Sequence, residues 1–245
     1  MKTLFAGPSL YGEIVGGRIA AAPEIVCRGP AAQGDIAAAV LDGATAIGLV
    51  DGRYEDVAAP WHKEILFALS EGVAVYGGGS LGALRAAECA HFGMIGVGEI
   101  FGRYMSGDLV DDSAVAQLHA PAELDYLPLT EALVNVEATI GRLAALALID
   151  PTVAAALAAS AQALFFKRLT FQAVVERAGA PASLIALLVD HRVDRKRADA
   201  LALVAQLAAR DDASAAPPDW ALARPPAWRR QFERLIALRH VKAEI

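Results

Sequence analysis

The sequence predicts an α/β fold: a mostly parallel sheet flanked by helices, followed by an all-helical C-terminal region. Three observations predict it. Short apolar runs at residues 3–6, 24–27, 45–50 and 73–76 each end in Gly, Pro or Asp, the punctuation of buried strands. Stretches of helical period separate the last three of these runs. From about Leu129 onward strand signals fade and helical ones dominate. Strands alternating with helices imply a parallel sheet covered on both faces, a Rossmann-like layout.

Taken in order, residues 3–6 form a strand closed by Gly7-Pro8-Ser9, and residues 24–27 a second closed by Arg28-Gly29-Pro30. Asp35 can cap a helix that runs to Asp42 and stops at Gly43. Residues 45–50 are a third strand, ending in Asp51-Gly52. Residues 60–70 are helical, with Trp61, Ile65, Leu66 and Leu69 on one face. Residues 73–76 are a buried strand. The glycine turn Gly77-Gly78-Gly79 and then Ser80-Leu81-Gly82 follow, before a helix over 83–90. Residues 93–98 read as a strand or tight crossing, and 100–105 as a helix. Asp111 and Asp112 are adjacent; neighbours in an extended stretch point to opposite faces, which favours a solvated turn over a Mg²⁺ site. Residues 114–118 resemble a strand that delivers His119 to its end. Helices are expected at 129–148, 152–164, 170–179, 181–191 and 194–209. Residues 211–228, with Pro217, Pro218, Pro225 and Pro226, read as a linker or extended arm, and 229–244 as a short amphipathic helix with a basic bias. The expected organisation is an α/β core over 1–125, a helical region over 126–210, and a Pro-rich linker with a basic helix over 211–245.

Composition narrows the function classes. The 245 residues are 56% apolar, enough for a sizeable core in one large or two modest domains. With 22 Lys and Arg against 28 Asp and Glu the net charge is −6, which argues against broad nucleic-acid binding. The charge-free stretch 151–164 is shorter than the roughly 20 apolar residues of a membrane span. MKTLFAG enters strand pattern directly, with no secretory signal, and Cys27 and Cys89 lack metal spacing, so a cytoplasmic thiol pair is expected. No metal and no cofactor are expected.

In such sheets ligands sit at the carboxyl ends of the strands. Ser9, Arg28, Asp51 and Ser80 all fall just past a predicted strand end. Gly78-Gly79-Ser80-Leu81-Gly82 fits G-x-S-x-G, in which a sharp strand-to-helix turn exposes a serine hydroxyl at a helix N-terminus. Two readings of Ser80 stand open, a reactive hydroxyl or a simple helix cap. A nucleotide-phosphate loop ranks last, because G-x-x-x-x-G-K-[ST] is missing.

At Asp51-Gly52, Trp61-His62-Lys63-Glu64, the run from Gly79 to Glu88, Phe92 to Gly98, and Pro128-Leu129 leading to Asn135, the chain resembles the TfuA-like family. The resemblance covers about residues 3–140 and is weaker around 195–202. It implies an accessory role beside a YcaO-type enzyme, which uses ATP to replace a peptide-backbone amide oxygen with sulfur. It implies recruitment of that enzyme and sulfide release from a ThiS-type sulfur-carrier protein ending in a glycine thiocarboxylate, with the precursor peptide as a further partner. A non-catalytic adaptor is the alternative.

That chemistry needs a nucleophile, a base and donors for an oxyanion. Ser80 is the candidate nucleophile, unless a water attacks. The Leu81 N–H offers half an oxyanion hole, His62 or His119 a base, and Asp51 the group that orients it. Ser9, Arg28, Gly78 and Gly79 line the expected substrate groove, where bare glycine lets an extended tail approach. Arg85 either forms a structural pair with Glu88, three residues on, or grips the carrier's terminal carboxylate. The basic segment 229–245 is expected to dock the YcaO-type enzyme.

Overall fold

The computed structural model describes residues 1–53, 55, 57–211 and 218–243, and of 238–243 the backbone alone. Its strands are β1 (Lys2–Phe5), β2 (Ile14–Val15), β3 (Arg18–Ile19), β4 (Val26–Arg28), β5 (Ala46–Leu49), β6 (Ala74–Gly78) and β7 (Ile95–Val97). Its helices are α1 (Asp35–Leu41), α2 (His62–Ser70), α3 (Leu81–Cys89), α4 (Glu99–Ser106), α5 (Leu133–Ala145), α6 (Pro151–Gln162), α7 (Phe171–Arg177), α8 (Ser183–Asp190), α9 (Arg195–Ala209) and α10 (Pro226–Ala243).

The main sheet is parallel throughout, in the order β4-β1-β5-β6-β7. β1, β5 and β6 are buried along their whole length, which is why they read as apolar runs without a polar face. Their side chains nevertheless alternate between two cores. Leu4, Ala46, Ala74 and Tyr76 enter one core, with Leu203, Val204 and Leu207 of α9. Phe5, Ile47, Leu49 and Val75 enter the other, with Ile36 of α1, Ile65 of α2 and Ala86 of α3. Gly48 permits the close approach of α9, since a Cβ there would lie 2.8 Å from a Leu203 methyl.

The connection from β1 to β4 differs from a repeating strand–helix alternation. It is a 3₁₀ turn and the small β2–β3 hairpin, with no α-helix. The face left bare is closed by α9 from far along the chain. The expected division near residue 126 therefore does not separate two packing units: α5–α8 build their own core around Leu143, Leu157, Val174 and Leu188, while α9 belongs to the sheet.

Two further expectations change. Residues 114–118 are not a strand; Asp112–Val115 is a 3₁₀ turn capped by Asp111, whose carboxylate accepts from the Ser113 N–H at 2.8 Å. His119 joins Pro128 through a single antiparallel bridge. The arm before α10 is not detached. Trp220 donates to the Phe92 carbonyl at 3.2 Å, and Trp228 is buried between Phe67 and Phe232 at ring separations of 5.7 and 5.5 Å. Of the expected segments, residues 212–217 and the tail end 244–245 lie outside the described residues. Among the described residues, no helix is long and apolar enough to cross a membrane.

Candidate functional site

The chain leaves β1 toward β4 and leaves β5 toward β6, in opposite directions along the sheet. Loops that part in this way open a crevice above the carboxyl ends of the two strands. A cavity of about 690 Å³ lies there. Pro8 lines it from the loop after β1, Asp51 and Gly52 from the end of β5, and Ser80, Leu81 and Arg85 from the start of α3. Residues 115–123, Tyr126, Phe166, Lys167 and Lys196 line the wall as well, with the charged Arg53, Glu55 and Asp112 among its other residues.

Ser80 sits at the turn between β6 and α3. The left-handed residue there is Gly79, at φ +71°, where a Cβ would lie 3.0 Å from the Lys196 carbonyl oxygen. The Ser80 side chain makes no capping bond to the helix. Its hydroxyl instead donates to the Val115 carbonyl at 3.5 Å. Of the two readings of this residue, the simple cap is the one the geometry does not support. The next N–H groups divide: Gly82 donates to the Val50 carbonyl at 3.0 Å, while the Leu81 N–H makes no hydrogen bond among the described residues. A free donor thus stands beside the hydroxyl at the positive end of α3.

Asp51 is buried, and both its oxygens serve the loop after β1. Oδ2 accepts from the Gly7 and Ser9 N–H groups at 2.8 and 3.0 Å, and Oδ1 accepts from the Ser9 hydroxyl at 2.7 Å. It therefore orients no histidine. Its charged neighbour is Lys196, with Nζ 4.0 Å from Oδ1.

Lys196, 1% exposed, donates to the Val115 carbonyl at 2.8 Å and to Gln117 Oε1 at 3.3 Å. Burial lowers its pKa, while the charges of Asp51, Asp194 and Glu131 push the other way. The backbone beneath it is held firmly. The Lys196 N–H donates to Asn135 Oδ1 at 3.1 Å, and Asn135 Nδ2 donates to Asp194, the cap of α9, at 3.0 Å.

The two histidines fall in different places. His119 lines the cavity; its Nδ1 donates to the Ala120 carbonyl at 2.8 Å, and its ring stands edge-on to Tyr126. His62 is not among the lining residues. It contacts Glu88 Oε2 at 2.8 Å, the same oxygen that takes Arg85 at 2.6 Å. Burial raises the Glu88 pKa, but the bonds from His62 and Arg85 outweigh it and hold the carboxyl below the usual range. The chain Asp51, His62, Ser80 is thus not assembled. Arg85 makes the structural pair with Glu88 and donates through Nε to the Pro60 carbonyl at 3.2 Å, and it also lines the cavity.

Of the remaining expected groove residues, Leu81 alone lines the cavity. Ser9 backs it through Asp51. Gly78 and Gly79 are not among its lining residues, and neither is Arg28, which pairs with Asp42 at 2.8 Å. Glu64, on the helix that begins at His62, is fully buried and accepts from the Trp61 N–H at 3.2 Å.

Lys196 and Gln117 were not identified from sequence spacing. A signal for Lys196 existed: Arg195-Lys196-Arg197 stands in the first turn of a helix, where positive charge opposes the helix dipole.

Residues 51–170 match the family described as TfuA-like protein. The stretch begins at Asp51 and contains Ser80, Arg85 and His119. No curated protein matches the chain.

Proposed function

We propose, with the TfuA-like character of residues 51–170 as the premise, that this protein is an accessory to a YcaO-type enzyme in ATP-dependent backbone thioamidation. Its part is to recruit that enzyme and to release sulfide by hydrolysing a thiocarboxylated ThiS-type sulfur carrier. The observation that carries the hydrolase reading is the Ser80 hydroxyl in the cavity wall, off the helix cap and beside the Leu81 N–H, which has no acceptor among the described residues. An acyl carbon bonded to sulfur needs this pairing of an attacking oxygen and a donor for the oxyanion. Arg85, on the same wall and paired with Glu88, offers a guanidinium to the anionic end of the carrier tail.

The test is to incubate the purified protein with thiocarboxylated carrier and follow sulfide. Release is expected from the native chain, and Ser80→Ala should lower it by about 100-fold or more. The adaptor reading has its own support in the outward-facing Arg229, Arg230 and Arg234 of α10, a basic surface on an acidic protein. Stimulation of the YcaO-type enzyme with no sulfide release above buffer would replace hydrolysis with adaptor function.

A further inference from the structure

We propose that Ser80 and Lys196 act as a serine–lysine pair, the hydroxyl attacking and the amine serving as its base. The inference deepens the hydrolase reading and rests on it for the identity of the substrate.

Asp51 already accepts three hydrogen bonds from Gly7 and Ser9, and His62 is held outside the cavity by Glu88. His119, whose Nδ1 donates to the Ala120 carbonyl, keeps Nε2 as the competing base, but among the described residues it shares no hydrogen-bond partner with Ser80. Lys196 Nζ and Ser80 Oγ converge on one atom, the Val115 carbonyl oxygen, at 2.8 and 3.5 Å. The longer of these bonds is weak, and a hydroxyl so held is free to turn toward an amine that shares its acceptor. The groups facing Lys196 are Asp51 from the end of β5, Gln117 from the loop beyond α4, and at longer range Asp194 and Glu131. Their charges favour the ammonium; complete burial favours the amine. The charge of Asp51 is already partly satisfied by the loop it holds, which weakens its claim on the proton.

The steps balance. Ser80 Oγ bonds to the thiocarboxylate carbon as its proton passes to Lys196 Nζ, and the oxyanion forms at the Leu81 N–H. The C–S bond breaks, sulfur takes the proton from Lys196, and hydrosulfide leaves an acyl ester on Ser80. Water then attacks that ester, giving a proton to Lys196. Collapse returns a proton to Ser80 Oγ and frees the carrier carboxylate, with one proton released to solvent. No oxidant, reductant or metal is consumed.

A fluorophosphonate probe tests the pair without the carrier, read by intact mass and peptide mapping. Ser80 is expected to be labelled in the native chain. The labelling rate should rise with pH, over the range below the ordinary lysine value, because burial lowers the Lys196 ionisation. Lys196→Arg, which keeps the charge but is no base, and Lys196→Met should each slow labelling by about 100-fold while thermal melts show a folded chain. A Lys196→Arg protein labelled at the native rate overturns the pair. So does a native rate flat across that pH range, which decides the matter even if both variants unfold. Labelling of Ser80 without sulfide release refutes the hydrolase reading and leaves the pair standing. Sulfide release that survives Ser80→Ala refutes the pair.

Discussion

Asp51 shows how a residue singled out correctly can hold a different role. Its two oxygens hold the loop after β1 beside Lys196, so its removal leaves two buried backbone donors and the Ser9 hydroxyl without their acceptor. Asp51→Ala should cost about 3 kcal/mol of stability in denaturant unfolding, on the scale of leaving buried donors unsatisfied. His62 is the converse: its partner is the half-exposed Glu88. His62→Ala should therefore change sulfide release by less than about fivefold, the scale of an exposed ion pair. Glu64 gives a pH signature. Burial raises its pKa, and the nearby Asp35 adds to the shift, so the folded state holds the proton more tightly than the unfolded chain. That contribution to stability is present below the unfolded carboxylate value and is lost as pH rises through the folded one. Thermal melts across this acid range should show the loss in the native protein and not in Glu64→Gln.

At the scale of elements, the strand–turn–helix unit from β6 to α3 was legible because its demands are local. Gly82 shows how tight it is: a Cβ there would overlap the Leu49 carbonyl, so α3 could not start against β5. Gly82→Ala should destabilise by about 3 kcal/mol through overpacking against rigid backbone, measured by the denaturation midpoint. Residues 114–118 were misread for a related reason. Their apolar run has strand composition, yet Val115 is buried against α3, α4 and α5 in a 3₁₀ turn, and its carbonyl is turned toward Ser80 and Lys196. Burial without a ladder looks the same as a strand when only composition is available.

On the scale of the whole molecule, two distant segments complete what the first half begins. α9 covers the sheet face left without a helix by the β1–β4 hairpin, and Lys2 Nζ donates to the Ala208 carbonyl at 2.7 Å to fix its far end. α10 seats Trp228 and Phe232 against Phe67. Trp228→Ala should lose about 3 kcal/mol. Hydrogen exchange should quicken in α10 and α2 while β1, β5 and β6 stay protected. Uniform loss of protection would mean that the strap is integral to the sheet core.

Local pattern was enough for the strands as short apolar runs, the helices of period 3.6 and the glycine turn that presents Ser80. Those features depend on neighbours within a turn or two of chain. Which side chain meets Ser80 depends on α9, whose Lys196 reaches Val115 from 81 residues away. That meeting follows from how two cores share one sheet. Helical period alone places Lys196 on a face of its helix and says nothing of the cavity that face closes.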